Sequence, residues 1–267
     1  MSIYEQAMKG LPLTDVFIID EHCHMGFGIS NYQAPAYTPA GIVAEMDHLG
    51  INMAVVSHLA SLFADCRWGN DRILDAMAAF PGRYIGYCTI NPLYPDMIDG
   101  ELARCFNRGM KGIKLHPYCH ERPLSYKPYE KTYAFAADRR GFVMAHTYTE
   151  ADVISVDKFA SEYPETVFIM GHTGGEMATV EKAVKVINRH DNVYGDIAVS
   201  ESKEGIVEWY VREIGSKKLL FGTDMPCMEG RATFNRLALA EIDDDAKRDI
   251  FGLNMKRILD RMETAAC

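Results

Sequence analysis

The 267-residue sequence has no apolar run approaching the roughly 18 residues that a membrane span needs, and its start, MSIYEQAMKG, lacks the basic-then-apolar order of a signal peptide. No membrane partner is expected, and a cytoplasmic location is. Basic charge is also scarce: 28 Lys and Arg stand against 37 Asp and Glu, a net charge of −9, and the cations are scattered. Nucleic-acid binders need clustered cations to displace counterions from phosphates, so no nucleic-acid partner is expected. The seven cysteines are odd in number and form no CxxC pair, which argues against a disulfide framework and against a thiolate zinc knuckle. Low-complexity tracts and a Pro/Gly/Ser-rich linker are missing too, so residues 1–267 read as one domain. The length matches the roughly 250 residues of a single α/β barrel.

What is present is a recurrence of short β-branched or apolar runs: VFIIDEHCH from Val16, MAVVSHL from Met53, YIGYCTI from Tyr84, GIKLHP from Gly112, GFVMAHT from Gly141, TVFIMGHT from Thr166, NVYGDIA from Asn192 and LLFGTDMP from Leu219. Each has the length of a buried strand. Helical patterns lie between them. Thr38-Pro39 caps a stripe of Ile42, Val43, Met46 and Leu49 that ends at Gly50; Ile73, Leu74, Met77 and Phe80 precede the stop Pro81-Gly82; Ile98, Leu102 and Phe106 precede Gly109; and Ile250, Phe251, Met255, Ile258 and Leu259 make the last helix. Eight strand-plus-helix units in line predict a (β/α)8 TIM barrel. A doubly wound open sheet seldom needs eight such units, and no GxGxxG follows the first strand. The first fifteen residues are expected to cover the closed end of the barrel.

The strand ends carry the chemistry. His22 and His24 end the first strand, His116 the fourth, His146 the fifth, His172 the sixth and Asp224 the eighth. In a barrel these ends converge on one mouth, so residues far apart in sequence meet. Residues two apart on a strand share a face, so both imidazoles of His22-Cys23-His24 point one way and Cys23 the other. Imidazole and carboxylate donors suit Zn2+ or a similar divalent ion in an open, catalytic site. Asp20, two residues before His22, is expected on the same face, where it would fix a ligand's tautomer. His58 ends the second strand and is a candidate for the mouth or for the core; Asp196 on the seventh is a candidate for supporting the ligands or for holding interior polar groups together. Arg122, in the polar loop after His116, and Arg231, just after Asp224, are candidates to grip a substrate carboxylate, although a solvated surface position is the expected place of an arginine. Gly174-Gly175 is expected to serve a turn rather than an anion site, and His48 and His190 are expected on solvated helix positions.

Asp20-Glu21-His22-Cys23-His24, Gly112-Ile113-Lys114-Leu115-His116-Pro117, Gly171-His172-Thr173-Gly174-Gly175, Gly222-Thr223-Asp224 and the closing Gly252-Leu253-Asn254 resemble the amidohydrolase superfamily, and within it the amidohydrolase-related branch that includes aminocarboxymuconate-semialdehyde decarboxylase. The resemblance spans nearly the whole chain. It implies one metal per chain bound by His22, His24, His146 and Asp224, with His172 touching water or substrate, and it allows a homodimer. Other branches bridge two metals with a carbamylated lysine on the fourth strand, and Lys114 stands two residues before His116; the branch resembled is mononuclear, so one ion is expected.

The mechanism that follows is hydrolysis of an amide, lactone or ester of a small metabolite. The metal lowers the pKa of a bound water toward about 7, Asp224 is the general base and His172 polarises the carbonyl. The rival is non-oxidative decarboxylation of a small carboxylic acid by the same ligands, against which the chain's modest length is a point. A barrel that binds metal or metabolite without turnover is the rival of another class; an open site with a base beside it argues against that.

Overall fold

The computed structural model describes residues 1–26, 38–198 and 203–265. Eight parallel strands run in sequence order around one sheet: β1 (Ile19–Met25), β2 (Met53–His58), β3 (Tyr84–Thr89), β4 (Gly112–Leu115), β5 (Phe142–His146), β6 (Val167–Gly171), β7 (Val193–Asp196) and β8 (Leu219–Leu220). The last strand is brought back to the first by backbone bonds from Glu21 N to Phe221 O (2.9 Å) and from Asp224 N to His22 O (2.7 Å). This is the (β/α)8 barrel read from the sequence, and each of the eight runs supplies one strand.

Helices fill the connections where the apolar stripes place them. The helix Pro39–Leu49 begins on Thr38, whose hydroxyl accepts from Gly41 N, and ends at Gly50, whose φ of +74° is the left-handed conformation that a residue without Cβ adopts freely. It buries Ile42, Met46 and Leu49 against the strands. Cys66–Ala79 and Pro95–Asn107 follow the same logic and stop before Pro81-Gly82 and Gly109.

Two cores result. The outer faces of the strands pack on the helices, as with Cys23, Ala54, Val56, Cys88, Ile113 and Val143. The inner faces meet inside the barrel, where Ile19, Val55, Ile85, Tyr87, Phe142, Val167 and Leu220 form a separate apolar layer at the starts of the strands. That layer is sealed from below by Met255, Ile258 and Met262 of the last helix, Asn254–Ala265. The expectation that the first fifteen residues cover the closed end is therefore corrected. The short helix Ile3–Met8 buries only Ile3, too little apolar surface to seal a barrel, and it is tied by Ile3 N to the Asp244 carboxylate (3.1 and 3.2 Å). The last helix is joined to the preceding turn through a π-helical stretch, Asp249–Leu253, in which Gly252 lies so close to Phe17 that a Cβ would meet its carbonyl oxygen at 2.3 Å.

Candidate metal centre and its cavity

The first strand departs from simple alternation. Asp20 pairs with Ala54 and Cys23 with Val56, so Glu21 and His22 together face the single residue Val55. This β-bulge turns two consecutive side chains into the barrel. Ile19 and Glu21 point inward below it, His22 and His24 above it, while Cys23 joins the outer core. The HxH pair thus shares a face as its spacing requires, but Asp20 does not share it. Its carboxylate accepts from Thr223 N (3.0 Å), Thr223 Oγ1 (2.5 Å) and His22 N (3.1 Å), tying β1 to the chain after β8. Burial without a cation pushes Asp20 up to about 7.

The partner of the His22 ring is Asp196, at the end of β7: Oδ2 lies 2.7 Å from His22 Nδ1. His24 Nδ1 is 2.8 Å from Ser57 Oγ. Both rings are thereby fixed with Nε2 turned to Asp224, whose Oδ1 is 3.6 Å from His22 Nε2 and 3.1 Å from His24 Nε2. The ligand atoms of His22, His24 and Asp224 lie within 4.8 Å of one another. Gly222 makes room for this approach, since a Cβ there would come within 2.7 Å of His22 Cβ.

His146 is not in that trio; its Nδ1 is 3.0 Å from His172 Nε2. His172 Nδ1 in turn bonds the Ala198 carbonyl, which can only accept. The protons are then assigned in series: Nδ1–H of His172 to Ala198 O, and Nδ1–H of His146 to His172 Nε2. That leaves His146 Nε2 as a free lone pair, the same tautomer that His22 and His24 adopt. Burial first, and then the neighbouring positive groups, lower the pKa of His22, His24, His116 and His146, so these rings stay neutral as metal ligation requires. Burial acts to raise Asp224; a proton on the adjoining His22 and His24 rings, or a cation held between them and the carboxylate, lowers it and leaves the carboxyl ionised.

Three non-glycine residues here have positive φ: His172 (+66°), Thr173 (+45°) and Asp224 (+59°). Such backbone costs roughly 1–3 kcal/mol per residue and persists only when neighbours enforce it. Asp196 does so for His172, accepting from its backbone N at 2.7 Å, and His22 O does so for Asp224.

Beneath the ligands lies a second buried polar group. Lys114 Nζ is fully buried, 3.0 Å from His22 Nε2 and 2.9 Å from Met144 Sδ. Glu21 accepts from Tyr87 Oη at 3.0 Å and faces Asp196. Desolvation lowers Lys114 and raises Glu21, the latter pushed further by Asp196.

Above the ligands opens a cavity of about 900 Å³ lined by His24, His116, His146, His172 and Asp224 at its floor. His116 is stacked on His146 with ring centroids 3.9 Å apart. Arg122 lines the cavity, held by Glu121 O (2.7 Å) and lying over the Tyr126 ring. Arg231 does not line it: its guanidinium pairs with Glu229 at 2.8 Å on an exposed helix start. Nor does His58. Val55 and Ser57 take the inward positions of β2, so alternation turns His58 outward, where Nδ1 accepts from Ala60 N (3.1 Å) and the ring meets Trp68 edge-on. Gly174 and Gly175 serve the turn, as expected, with the Tyr148 ring filling the place of a Gly175 side chain. His48 is exposed, whereas His190 is mostly buried against Asp157 (2.6 Å).

Sequence reasoning passed over Ser57 and Glu21. For Ser57 the signal was available, because parity from Val55 selects it over His58. For Glu21 it was not, because the bulge breaks parity.

The family profile described as Amidohydrolase matches residues 19–261. No curated protein matches the chain. Among solved structures, an uncharacterised TIM-barrel protein from Bordetella bronchiseptica aligns with TM-score 0.77 and 16% identity over 93% of this chain and 100% of its own. A 2,6-dihydroxybenzoate decarboxylase in complex with 2,6-dihydroxybenzoate aligns with TM-score 0.72 and 15% identity over 92% and 98%. A probable 2-pyrone-4,6-dicarboxylic acid hydrolase from Acinetobacter baumannii aligns with TM-score 0.72 and 16% identity over 91% and 99%.

Proposed function

We propose, from the premise that this chain belongs to the amidohydrolase family and is an enzyme of it, that it is a mononuclear divalent-metal hydrolase acting on an amide, lactone or ester bond of a small metabolite. The observation that carries the reading is the convergence of His22, His24 and Asp224, with the Nδ1 of each imidazole bonded to Asp196 or Ser57 and its Nε2 turned toward Asp224, the His22 Nε2 also meeting Lys114 Nζ at 3.0 Å. That donor set fits a Zn2+-type ion, with His146 Nε2 as the fourth donor. A bound ion of this kind supplies Lewis acidity and makes water a nucleophile near neutral pH.

The chain's own residues divide the remaining work. Asp224, ionised and lining the cavity, accepts the proton of the attacking water and returns it to the leaving group. His172 holds His146 through its Nε2, so in this arrangement it orients a ligand; contact with a substrate carbonyl requires that bond to open. Asp196 and Ser57 keep the His22 and His24 rings in the tautomers that present Nε2.

Hydrolytic and decarboxylating relatives share this fold, and the solved decarboxylase is spanned over 98% of its length, so chain length does not separate the two chemistries. The test is a metal analysis followed by paired assays of the zinc-loaded protein, one on lactones, esters and amides and one for CO2 release from aromatic carboxylates. We expect about one ion per chain, hydrolytic turnover, and a loss of about 10²- to 10⁴-fold in Asp224→Asn measured with metal in excess. CO2 release without hydrolysis, or a fully metallated Asp224→Asn at the wild-type rate, overturns it.

A further inference from the structure

We propose that the outer half of the cavity is a hydrocarbon-binding subsite, so that the preferred substrate is amphipathic: a scissile carbonyl at the His24–Asp224 end joined to an alkyl chain that lies along Phe63 and Met228, with Leu59 and Leu62 behind them. This deepens the hydrolase reading and rests on it.

Three observations lead there. First, Leu59 and Leu62 form an apolar cluster that belongs neither to the barrel interior nor to the helix layer, and among the described residues the partly buried side chains packed on it are Cys119 and Cys227. All four line the cavity. Leu59 and Leu62 are themselves almost wholly buried, 1% and 3% exposed, so they back the cavity wall and the surface open to a ligand is carried by the side chains beside them. The two thiols count as apolar here, because burial pushes both up to about 12 and they stay protonated. Second, Phe63, one residue beyond Leu62, lines the same cavity and is 45% exposed. Met228, four residues past Asp224, faces it from the β8 side. An exposed Phe alone is ordinary; one continuous with an apolar cluster and a catalytic floor marks a binding surface.

Third, the cavity is poorly equipped for an anionic substrate. Among the described lining residues Arg122 is the one Lys or Arg, and it is already bonded to Glu121 O. Glu121 and Asp152 line the same wall, so carboxylates outnumber the guanidinium even before Asp224 is counted. A volume of about 900 Å³ lies near the top of the roughly 300–1,000 Å³ range of drug-sized ligand pockets, and a compact polar metabolite would leave much of it wet.

The experiment is calorimetric titration of the zinc-loaded protein with acetohydroxamate, hexanohydroxamate and octanohydroxamate, and with a hexanohydroxamate analogue ending in a carboxylate. The hydroxamate head reads the metal site and the tail reads the wall. We expect affinity to rise by about fourfold for each added methylene until the wall is covered, to fall when the tail ends in a carboxylate, and to rise much less steeply in Phe63→Ala and in Leu62→Ser. Phe63 is half in solvent, so its variant stays informative if Leu62→Ser does not fold. Binding of acetohydroxamate with no gain on lengthening overturns the subsite and leaves the metal centre standing. Tighter binding of the carboxylate-ended tail overturns it in favour of an anion site at Arg122. Failure of every hydroxamate on protein carrying stoichiometric zinc sinks the reading of the metal centre and this proposal together.

Discussion

The two halves of the barrel interior are built from the same strands and could hardly differ more. At the strand starts, Ile19, Val55, Ile85, Phe142, Val167 and Leu220 meet the last helix in a purely apolar layer. A few residues further along, Glu21, His22, Lys114 and Asp196 are each fully buried, and all four are titratable. The lower half gains stability from removing apolar surface from water. The upper half does the opposite: it desolvates polar groups and recovers part of that cost through hydrogen bonds. Stability and chemistry are thus separated along the strand axis, and each should be separately breakable.

The largest expected effect lies in the lower half. Phe142 is fully buried and meets Tyr87 edge-on at 5.6 Å. Phe142→Ala should cost about 3–5 kcal/mol of unfolding free energy, while the protein that remains folded still binds about one ion per chain. Chemical denaturation and metal analysis on the same sample check this; parallel loss of metal from the folded fraction would show that the halves are not separable.

The upper half is sharpened by comparing two aspartates that look alike in sequence. Asp196→Asn should weaken zinc binding by about 10- to 100-fold in a chelator competition, since it removes the acceptor that fixes His22. Asp20→Asn should change stability more than zinc affinity, because Asp20 bonds Thr223 and no imidazole. Equal effects on zinc would contradict the bulge.

The smallest effect concerns pH. His120 is buried with Nδ1 on Tyr129 Oη (2.7 Å), and burial lowers it from 6.5 to about 4. A histidine depressed in the folded state is stabilising above its unfolded pKa, and that contribution is lost as pH falls from about 6.5 toward 4. Between pH 7 and pH 5 the wild type should lose about 2 kcal/mol more than His120→Gln, whose amide can still reach Tyr129. Urea midpoints at the two pH values decide it; equal losses would remove His120 from the acid sensitivity.

Much of the fold was readable because period-two and period-3.6 patterns, together with caps such as Thr38 and Gly50, act locally. The strand-end residues His24, His116, His146, His172 and Asp224 were readable for the same reason, since the topology then brings them to one mouth, with His22 buried just below against Asp224 and His172. What escaped depended on non-local packing. The bulge is a register shift between two strands, visible in neither alone. The seal of the closed end depends on how much apolar surface each terminal helix offers, one residue in Ile3–Met8 against several in Asn254–Ala265. The cavity wall comes from a five-residue helix, Leu59–Phe63, too short to show any period. Arg231 takes the solvated position that was the favoured of its two readings, because a cation near a ligand in sequence is not near it in space once Glu229 holds it.

The bulge at Glu21–His22 also bears on how this strand tolerates change in length. Because the register of the HxH pair depends on one supernumerary residue, deleting a single residue between Asp20 and Cys23 would restore regular pairing with β2 and remove one of the two inward groups from that level. A substitution at Glu21 alters one side chain, whereas a one-residue gap there would rewrite which atoms face the mouth. In an alignment of relatives, a gap at this point would mark a change of chemistry more surely than any single exchange of residue.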